Sequence, residues 1–419
     1  MYKIEHVRIN KFWKRFNSEC DFNPNVNIII GRNGTGKTTF MNVLHSVLSV
    51  DVESICNTDF ESATITLRSG KSKKTIQVKK IEQDLTPFVV LEYQITRKKY
   101  YVQLISSNDR RIAAHYRRKA IEESEDVRNE LAKIVSLSSL SVYRLRSGDD
   151  LDYQDRQSTI SISPVDYRLN QLLQQLTRFQ LELSQKAREI ATELQKEVLA
   201  SILYSKDNTY NRYSINDFDK DKEKNNLISA YNQLNAMDIK IRRKINLHVD
   251  SIDKTISEIK KSTKDNITNI DFGALEALNK TKQIIKMSLE AENKTALVYE
   301  PVNLFVNILS EFITDKKFSF NGGQLEVKNN YDSIDYVALS SGEKQLLILL
   351  IETLLQKSQP YIFLTDEPEL SLHIAWQRQI IPAIMRLNPN AQVIAATHSP
   401  EVASRYRDSI LNMENIVHA

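Results

Sequence analysis

The sequence predicts an α/β protein: a mixed sheet flanked by helices, with an α-helical arm of coiled-coil-like character inserted into it. Three observations predict this. An apolar strand at 26–30 runs into a glycine-rich segment and then a helical stretch at 38–48. Two short, mostly apolar runs near the C-terminus, 361–364 and 392–396, have the texture of buried parallel strands. From 165 to 300 apolar residues recur at steps of three and four, and no proline lies between Pro164 and Pro301.

The 419 residues leave room for two or three domains at about 150 residues each. Hydrophobic residues make up 41% and charged residues 26%, ordinary proportions for a protein with a packed core. No apolar run approaches the ~18 residues of a membrane span, and the N-terminal ten residues alternate apolar with charged ones, unlike a signal peptide. Cys20 and Cys56 are the only cysteines, too few for a disulfide scaffold or a paired-cysteine zinc site. A cytoplasmic location and no membrane partner are expected.

The elements follow in order. Alternation at 2–9 and the run at 26–30 read as strands, as do 63–67, 75–78, 89–95 and 100–105. The seam of the arm starts at Leu169, Leu172, Leu176 and Phe179, and resumes at Leu227, Tyr231, Leu234 and Ile241, running on to Ile259. A third helix is expected near 273–289. Beyond Pro301 come a helix at 302–314, a hairpin at 317–327 turning on Gly322-Gly323, and an apolar helix at 346–355. The expected domains are 1–164, the inserted arm 165–300, and 301–419.

Glycine is scarce, nine in all, yet Gly31, Gly34 and Gly36 fall within six residues. Gly31 to Thr38 fits G-x-x-x-x-G-K-[ST], the phosphate-binding loop. Glycines let backbone N–H groups converge on phosphate oxygens, and the following helix presents its positive end. Gly31, Asn33, Gly34, Gly36, Lys37, Thr38 and Thr39 are the expected phosphate contacts. Lys37 would reach the β- and γ-phosphates of ATP, and the Thr38 hydroxyl would ligate Mg²⁺. The run at 361–364 ends in Asp366 and Glu367. There Asp366 would hold Mg²⁺ and Glu367 would polarise the attacking water. Gln94, after the strand at 89–93, is the expected glutamine for metal and water, with Gln83 as alternative. Lys14, Arg15 and Phe16 are candidates for contacting the adenine.

Leu339-Ser340-Ser341-Gly342-Glu343-Lys344-Gln345 resembles the LSGGQ-type signature of ABC ATPases, with Ser341 where a second glycine is commonest. Glu369 to His373 looks like the D-loop region of that class, with Ser371 and His373 in it, and Thr397-His398-Ser399-Pro400 looks like its switch histidine. The combination is similar to the heads of the RecF, Rad50 and OLD-like branch. The resemblance implies a P-loop NTPase head of the ABC type whose ATP is sandwiched between two protomers. The signature residues Ser340, Ser341, Gly342 and Glu343 would act in trans. Glu367 would serve as general base and His398 as γ-phosphate contact.

An arm of about 135 residues is too short for an SMC-type coil, and neither cysteine lies in it to form a zinc hook. Only 21 residues follow His398, too few for the Toprim domain of OLD nucleases, so nuclease activity is not expected on this chain. The pattern looks most like the AriA-type ATPases of PARIS anti-phage systems, with the PtuA-type ATPases of Septu and retron systems as the near alternative. It implies a homo-oligomeric ATPase that controls a Toprim nuclease in trans and answers a phage-encoded trigger, as in abortive infection. The alternative is a DNA-repair ATPase that binds DNA through the basic segment 71–119. That segment carries 13 Lys and Arg against 4 Asp and Glu, net +9 in a chain of net +4.

Overall fold

The computed structural model describes all residues except 83–87, 106–109, 142–162, 203–217, 234–235, 262–271, 330–331 and 419. The chain divides into two compact units, Met1–Thr177 with Leu304–Ala419, and Arg178–Asn303.

The first unit holds two large sheets. Strands β1 (Lys3–Phe12), β2 (Phe16–Asp21), β4 (Ser62–Ser69), β5 (Ser72–Glu82), β6 (Phe88–Ile95), β7 (Lys98–Ile105) and β14 (Val417–His418) form an antiparallel sheet in the order β14-β2-β1-β4-β5-β6-β7. Strands β3 (Val26–Ile30), β8 (Leu137–Ser141), β11 (Ile362–Asp366), β12 (Gln392–Ala396) and β13 (Ile410–Asn412) form a parallel sheet in the order β13-β3-β12-β11-β8. The two patterns of side chains differ as the sheets do. β5 alternates buried Ile76 and Val78 with exposed Thr75, Gln77 and Lys79, whereas β12 is buried throughout.

Helix α1 (Lys37–Ser49) belongs to the core that spans both sheets. Its Phe40, Leu44 and Val47 share one apolar cluster with Ile29, Leu364 and Ile394 of the parallel sheet and with Val7, Ile65 and Val78 of the antiparallel one. A buried Phe or Leu contributes roughly 1.5–3 kcal/mol, so this cluster fixes where the start of α1 lies against the ends of β3, β11 and β12. A second tie is polar. The buried Gln392 amide accepts from the Ile4 N–H at 2.7 Å and donates to the carbonyls of Ile4 and Asn23, joining the start of β12 to β1.

The short helix α2 (Val52–Asn57) and the longer α3 (Arg110–Ala132) complete this half. Helix α4 (Pro164–Ile202) starts in the first unit and continues into the second, which also holds α5 (Lys220–Gln233), α6 (Ile239–Lys261) and most of α7 (Phe272–Phe312). In the second unit Leu227, Ile245, Val249 and Ile285 form one apolar cluster, and Ile252, Ile256, Ala274 and Leu278 another. Two expected helices here are one: α7 runs from 272 to 312 with Pro301 inside it. Proline lacks only one donor and forbids one carbonyl contact, and buried Val302, Phe305, Ile308 and Leu309 hold the following turns by packing.

The hairpin of β9 (Lys317–Asn321) and β10 (Gln324–Lys328) turns on Gly322 and Gly323, both at positive φ. Helix α8 (Ser341–Leu355) is buried along nearly all its length; the single-turn α9 (Ile374–Gln377) and helix α10 (Ile380–Leu387) follow β11.

Candidate functional site

The buried β3 delivers the chain to Gly31, and α1 begins six residues later. Gly34 and Gly36 have φ of 83° and 94°, the left-handed region open to glycine. Space enforces the choice at Gly36: a Cβ there would stand 2.9 Å from ring carbons of both Phe12 and Trp13. Gly36 also has no side chain with which to cap α1, so the first-turn N–H groups stay open to an anion. Lys37 bends back over its own loop, its Nζ donating to the Gly31 carbonyl at 2.8 Å and to that of Arg32 at 3.1 Å. Burial pushes the Lys37 ammonium below the usual lysine range, and the nearby Asp366 and Glu367 act against that fall. Thr38 is exposed and Thr39 half-buried on the first turn, beside the exposed Asn33 and Gly34.

The parallel sheet assembles the rest. β3, β12 and β11 are adjacent, so their C-terminal ends open on one edge. Asp366 ends β11 in register with Ala396 of β12 and Ser141 of β8. The Glu367 N–H donates to the Ala396 carbonyl at 2.7 Å, with φ at 52°. A non-glycine residue in that region costs on the order of 1–3 kcal/mol, a strain typical of functional turns. Thr397 donates its N–H to the Ile29 carbonyl at 3.0 Å, which sets His398, with an exposed side chain, at the same edge.

No cluster of three or more His, Cys, Asp or Glu that could hold a metal occurs among the described residues. The Thr38 hydroxyl and the Asp366 carboxylate nonetheless suit a hard divalent ion that takes phosphate oxygens and water for its other positions, as Mg²⁺ does. Such an ion would neutralise phosphate charge.

The signature forms a second cluster. Ser340 caps α8 in a reciprocal box: its N–H donates to Glu343 Oε2 at 2.8 Å, and the Glu343 N–H donates to Ser340 Oγ at 3.3 Å. Lys316 Nζ donates to Glu343 Oε1 at 2.7 Å. Burial acts against the Glu343 charge, but the hydrogen bonds from Lys316 and Ser340 prevail and hold its carboxyl below the usual range. A Cβ on Gly342 would come within 2.5 Å of the Ser371 carbonyl oxygen, so the signature backbone lies directly on the expected D-loop. Ser371 sits at φ 66°, and His373 caps α9, its Nδ1 accepting from Ala375 N–H at 3.3 Å. Ser340 and Ser341 are exposed.

Gln94 requires a correction. The pleat of β6 sends Leu91, Tyr93 and Ile95 into the core, where the Tyr93 hydroxyl reaches the Val47 carbonyl of α1 at 3.5 Å. Gln94 therefore leaves the opposite face, and its amide donates to the Thr96 carbonyl at 3.1 Å. Gln83 lies outside the described residues. Two features escaped the sequence reading. One is β8, whose Leu137-Ser-Ser-Leu-Ser141 has too few branched residues to signal a strand, yet pairs with β11 to its last residue. The other is Trp13. Its ring stacks on Phe12 at 5.0 Å and faces Gly36 of the phosphate loop, while its neighbour Lys14 pairs with Asp59 at 3.4 Å.

Some of the cations of the basic segment are paired within the fold. Lys73 pairs with Glu5 at 2.8 Å, Lys98 with Glu130 at 3.2 Å and Lys99 with Glu92 at 2.6 Å. Lys74 and Lys80 lie over the rings of Tyr2 and Phe60. The side chains of Tyr116, Arg117 and Arg118 lie outside the described residues.

A phosphate loop at the end of a buried parallel strand, with two carboxylates at the end of a neighbouring strand but one, defines a P-loop nucleotide-binding protein. The chain belongs to the family described as "AAA domain, putative AbiEii toxin, Type IV TA system", whose model matches residues 26–404. It is also similar to the "Retron Ec83 probable ATPase" of Escherichia coli, 32% identical over 172 residues, 35% of this chain. The match spans 32% of that curated relative's length. Among solved structures, the Smc head domain with an extended coiled coil from Pyrococcus furiosus, bound to the C-terminal domain of ScpA, is 16% identical. That alignment covers 96% of this chain and 92% of the other, with a TM-score of 0.41. The Smc head with coiled coil and joint from Pyrococcus yayanosii is 14% identical over 98% and 95%, with a TM-score of 0.41. No helix among the described residues is long and apolar enough to cross a membrane.

Proposed function

We propose that this chain is an ABC-type ATPase switch of a bacterial anti-phage system, working as an ATP-sandwiched dimer that controls an effector supplied in trans. The observation that carries it is that one chain holds two helix N-termini of opposite build, the uncapped phosphate loop at α1 and the capped signature at α8. ATP binds the first end of one protomer with Lys37, Thr38 and the loop N–H groups. Ser340 and the Gly342 backbone of a second protomer then complete the γ-phosphate shell. Glu367 takes the proton of the attacking water and His398 contacts the γ-phosphate. The inserted arm 165–300 is the partner surface, and a Toprim-type nuclease, as in PARIS systems, is the effector. The family and the retron relative support the defence context.

The test is Glu367→Gln in the full chain. With ATP the variant is expected to remain dimeric by light scattering, with turnover at least ~100-fold below wild type. Normal turnover, or a monomer at saturating ATP, removes the reading. Affinity purification with the neighbouring genes then identifies the effector. A salt-sensitive DNA complex with no protein partner favours the alternative, DNA binding through the +9 segment.

A further inference from the structure

One carboxylate joins the segment after β11 to the loop after β12. Glu369 Oε1 accepts from Thr397 Oγ1 at 2.5 Å, from the His398 N–H at 3.1 Å and from the Ser399 N–H at 3.2 Å. Its other oxygen is buried, with no hydrogen-bond partner among the described residues. The His398 side chain is exposed, so packing does little to aim it. Its backbone is what the fold restrains, and Glu369 holds that backbone at the histidine and at Ser399, and grips the Thr397 side chain before it. Two further ties run in parallel: Ser399 Oγ donates to Gln377 Oε1 at 2.7 Å, and Arg378 pairs with Glu401.

The same segment meets the signature. Ser371, two residues after Glu369, presents the carbonyl that approaches Gly342, and the Trp376 ring stands 3.9 Å from where a Gly342 Cβ would be. A continuous line of contacts therefore runs from the signature backbone through 369–378 to the histidine.

We propose that Glu369 is a positioning residue that sets His398 for the γ-phosphate and ties its placement to the segment under the signature. The inference rests on His398 being the γ-phosphate contact. A carboxylate suits the role, because it has lone pairs for several donors at once and its charge strengthens each bond. Glutamine keeps one acceptor oxygen at the same reach; alanine keeps none.

ATP hydrolysis by the full chain tests this with E369A, E369Q, H398A and the double variant E369A/H398A. E369A is expected to lower kcat by about 30-fold, since small misplacements of a reacting group cost up to about 100-fold, with the KM for ATP within about threefold. E369Q recovers to within about fivefold of wild type. In the H398A background E369A adds less than about twofold, because its effect passes through the histidine. A full additional loss in the double variant, or E369Q as slow as E369A, overturns the proposal. H398A slow but E369A fast overturns it while sparing the reading of His398. H398A at the wild-type rate removes that reading and the proposal with it. If E369A does not bind ATP, Thr397→Val carries the test: a kcat loss of roughly fivefold that vanishes in the H398A background supports the relay, and one that persists overturns it.

Discussion

The N-terminus of α1 and the N-terminus of α8 are built from opposite instructions. At α1 the cap is a glycine at φ 94°, with no side-chain cap and no acid in the first turn. At α8 the cap is Ser340, locked by Glu343, which is held in turn by Lys316. Both helix ends carry the same partial positive charge. The first leaves its donors open and adds a buried ammonium beside them, so it is an anion site as it stands. At the second, the Ser340 N–H and hydroxyl are already engaged by a carboxylate, so a phosphate there must displace or share an existing anion. On the proposed function, the first is a constitutive site, and the second responds only when something brings the phosphate to it with enough affinity to compete.

The largest effect that sharpens this contrast is at the open end. Lys37→Ala removes the ammonium and leaves the loop carbonyls of Gly31 and Arg32 without their donor. Affinity for ATP by titration calorimetry is expected to fall by at least ~100-fold, a loss of about 2.7 kcal/mol or more. A variant that binds ATP normally breaks the picture of α1 as the primary site.

A smaller effect is expected at the closed end. Gly342→Ala sets a Cβ 2.5 Å from the Ser371 carbonyl oxygen, so either the signature or the 369–373 turn must shift. ATP affinity at the phosphate loop is expected to stay within about twofold, while turnover drops by roughly 30- to 100-fold. Loss of binding together with turnover would mean that the two ends are not separable.

How much of this contrast the sequence discloses depends on where the information is local. The phosphate loop is local: eight consecutive residues carry the glycines, the lysine and the threonine, and strand and helix flank them. Asp366 and Glu367 are equally legible, because the apolar run before them predicts a buried strand that must end where they stand. Gln94 was expected just after its strand, whereas β6 runs on to Ile95 and takes Gln94 into its pleat. Alternation alone leaves open which side meets α1, and the burial of Tyr93 against Val47 decides it. β8 was invisible for a different reason: its pairing with β11 spans more than 220 residues, and its own side chains lend it no β signature. The capping box follows from Ser340 and Glu343 three residues apart, whereas Lys316 enters only through the tertiary fold.

The smallest effect concerns that lysine and tests whether the closed end is closed by charge. Glu343→Gln keeps a capping box, since glutamine serves at the same position, but it removes the ion pair with Lys316. The pair is mostly shielded, with side-chain exposures of 17% and 10%, and Lys316 retains Asp315 at 2.8 Å. A charge-assisted hydrogen bond of this kind contributes roughly 1.5–3 kcal/mol, lowering the thermal midpoint at pH 7 by a few degrees. The sign with pH follows from the direction of the shift. Glu343 is held below its usual range in the fold, so its contribution is fully present above the ordinary glutamate pKa of about 4.3. It is lost as pH falls through the lower folded value. Wild type and E343Q therefore differ by a constant amount from pH 7 down to about pH 5 and converge below it. A gap as large at pH 3 as at pH 7, measured by calorimetry on both proteins, would show that shape rather than charge closes the signature end.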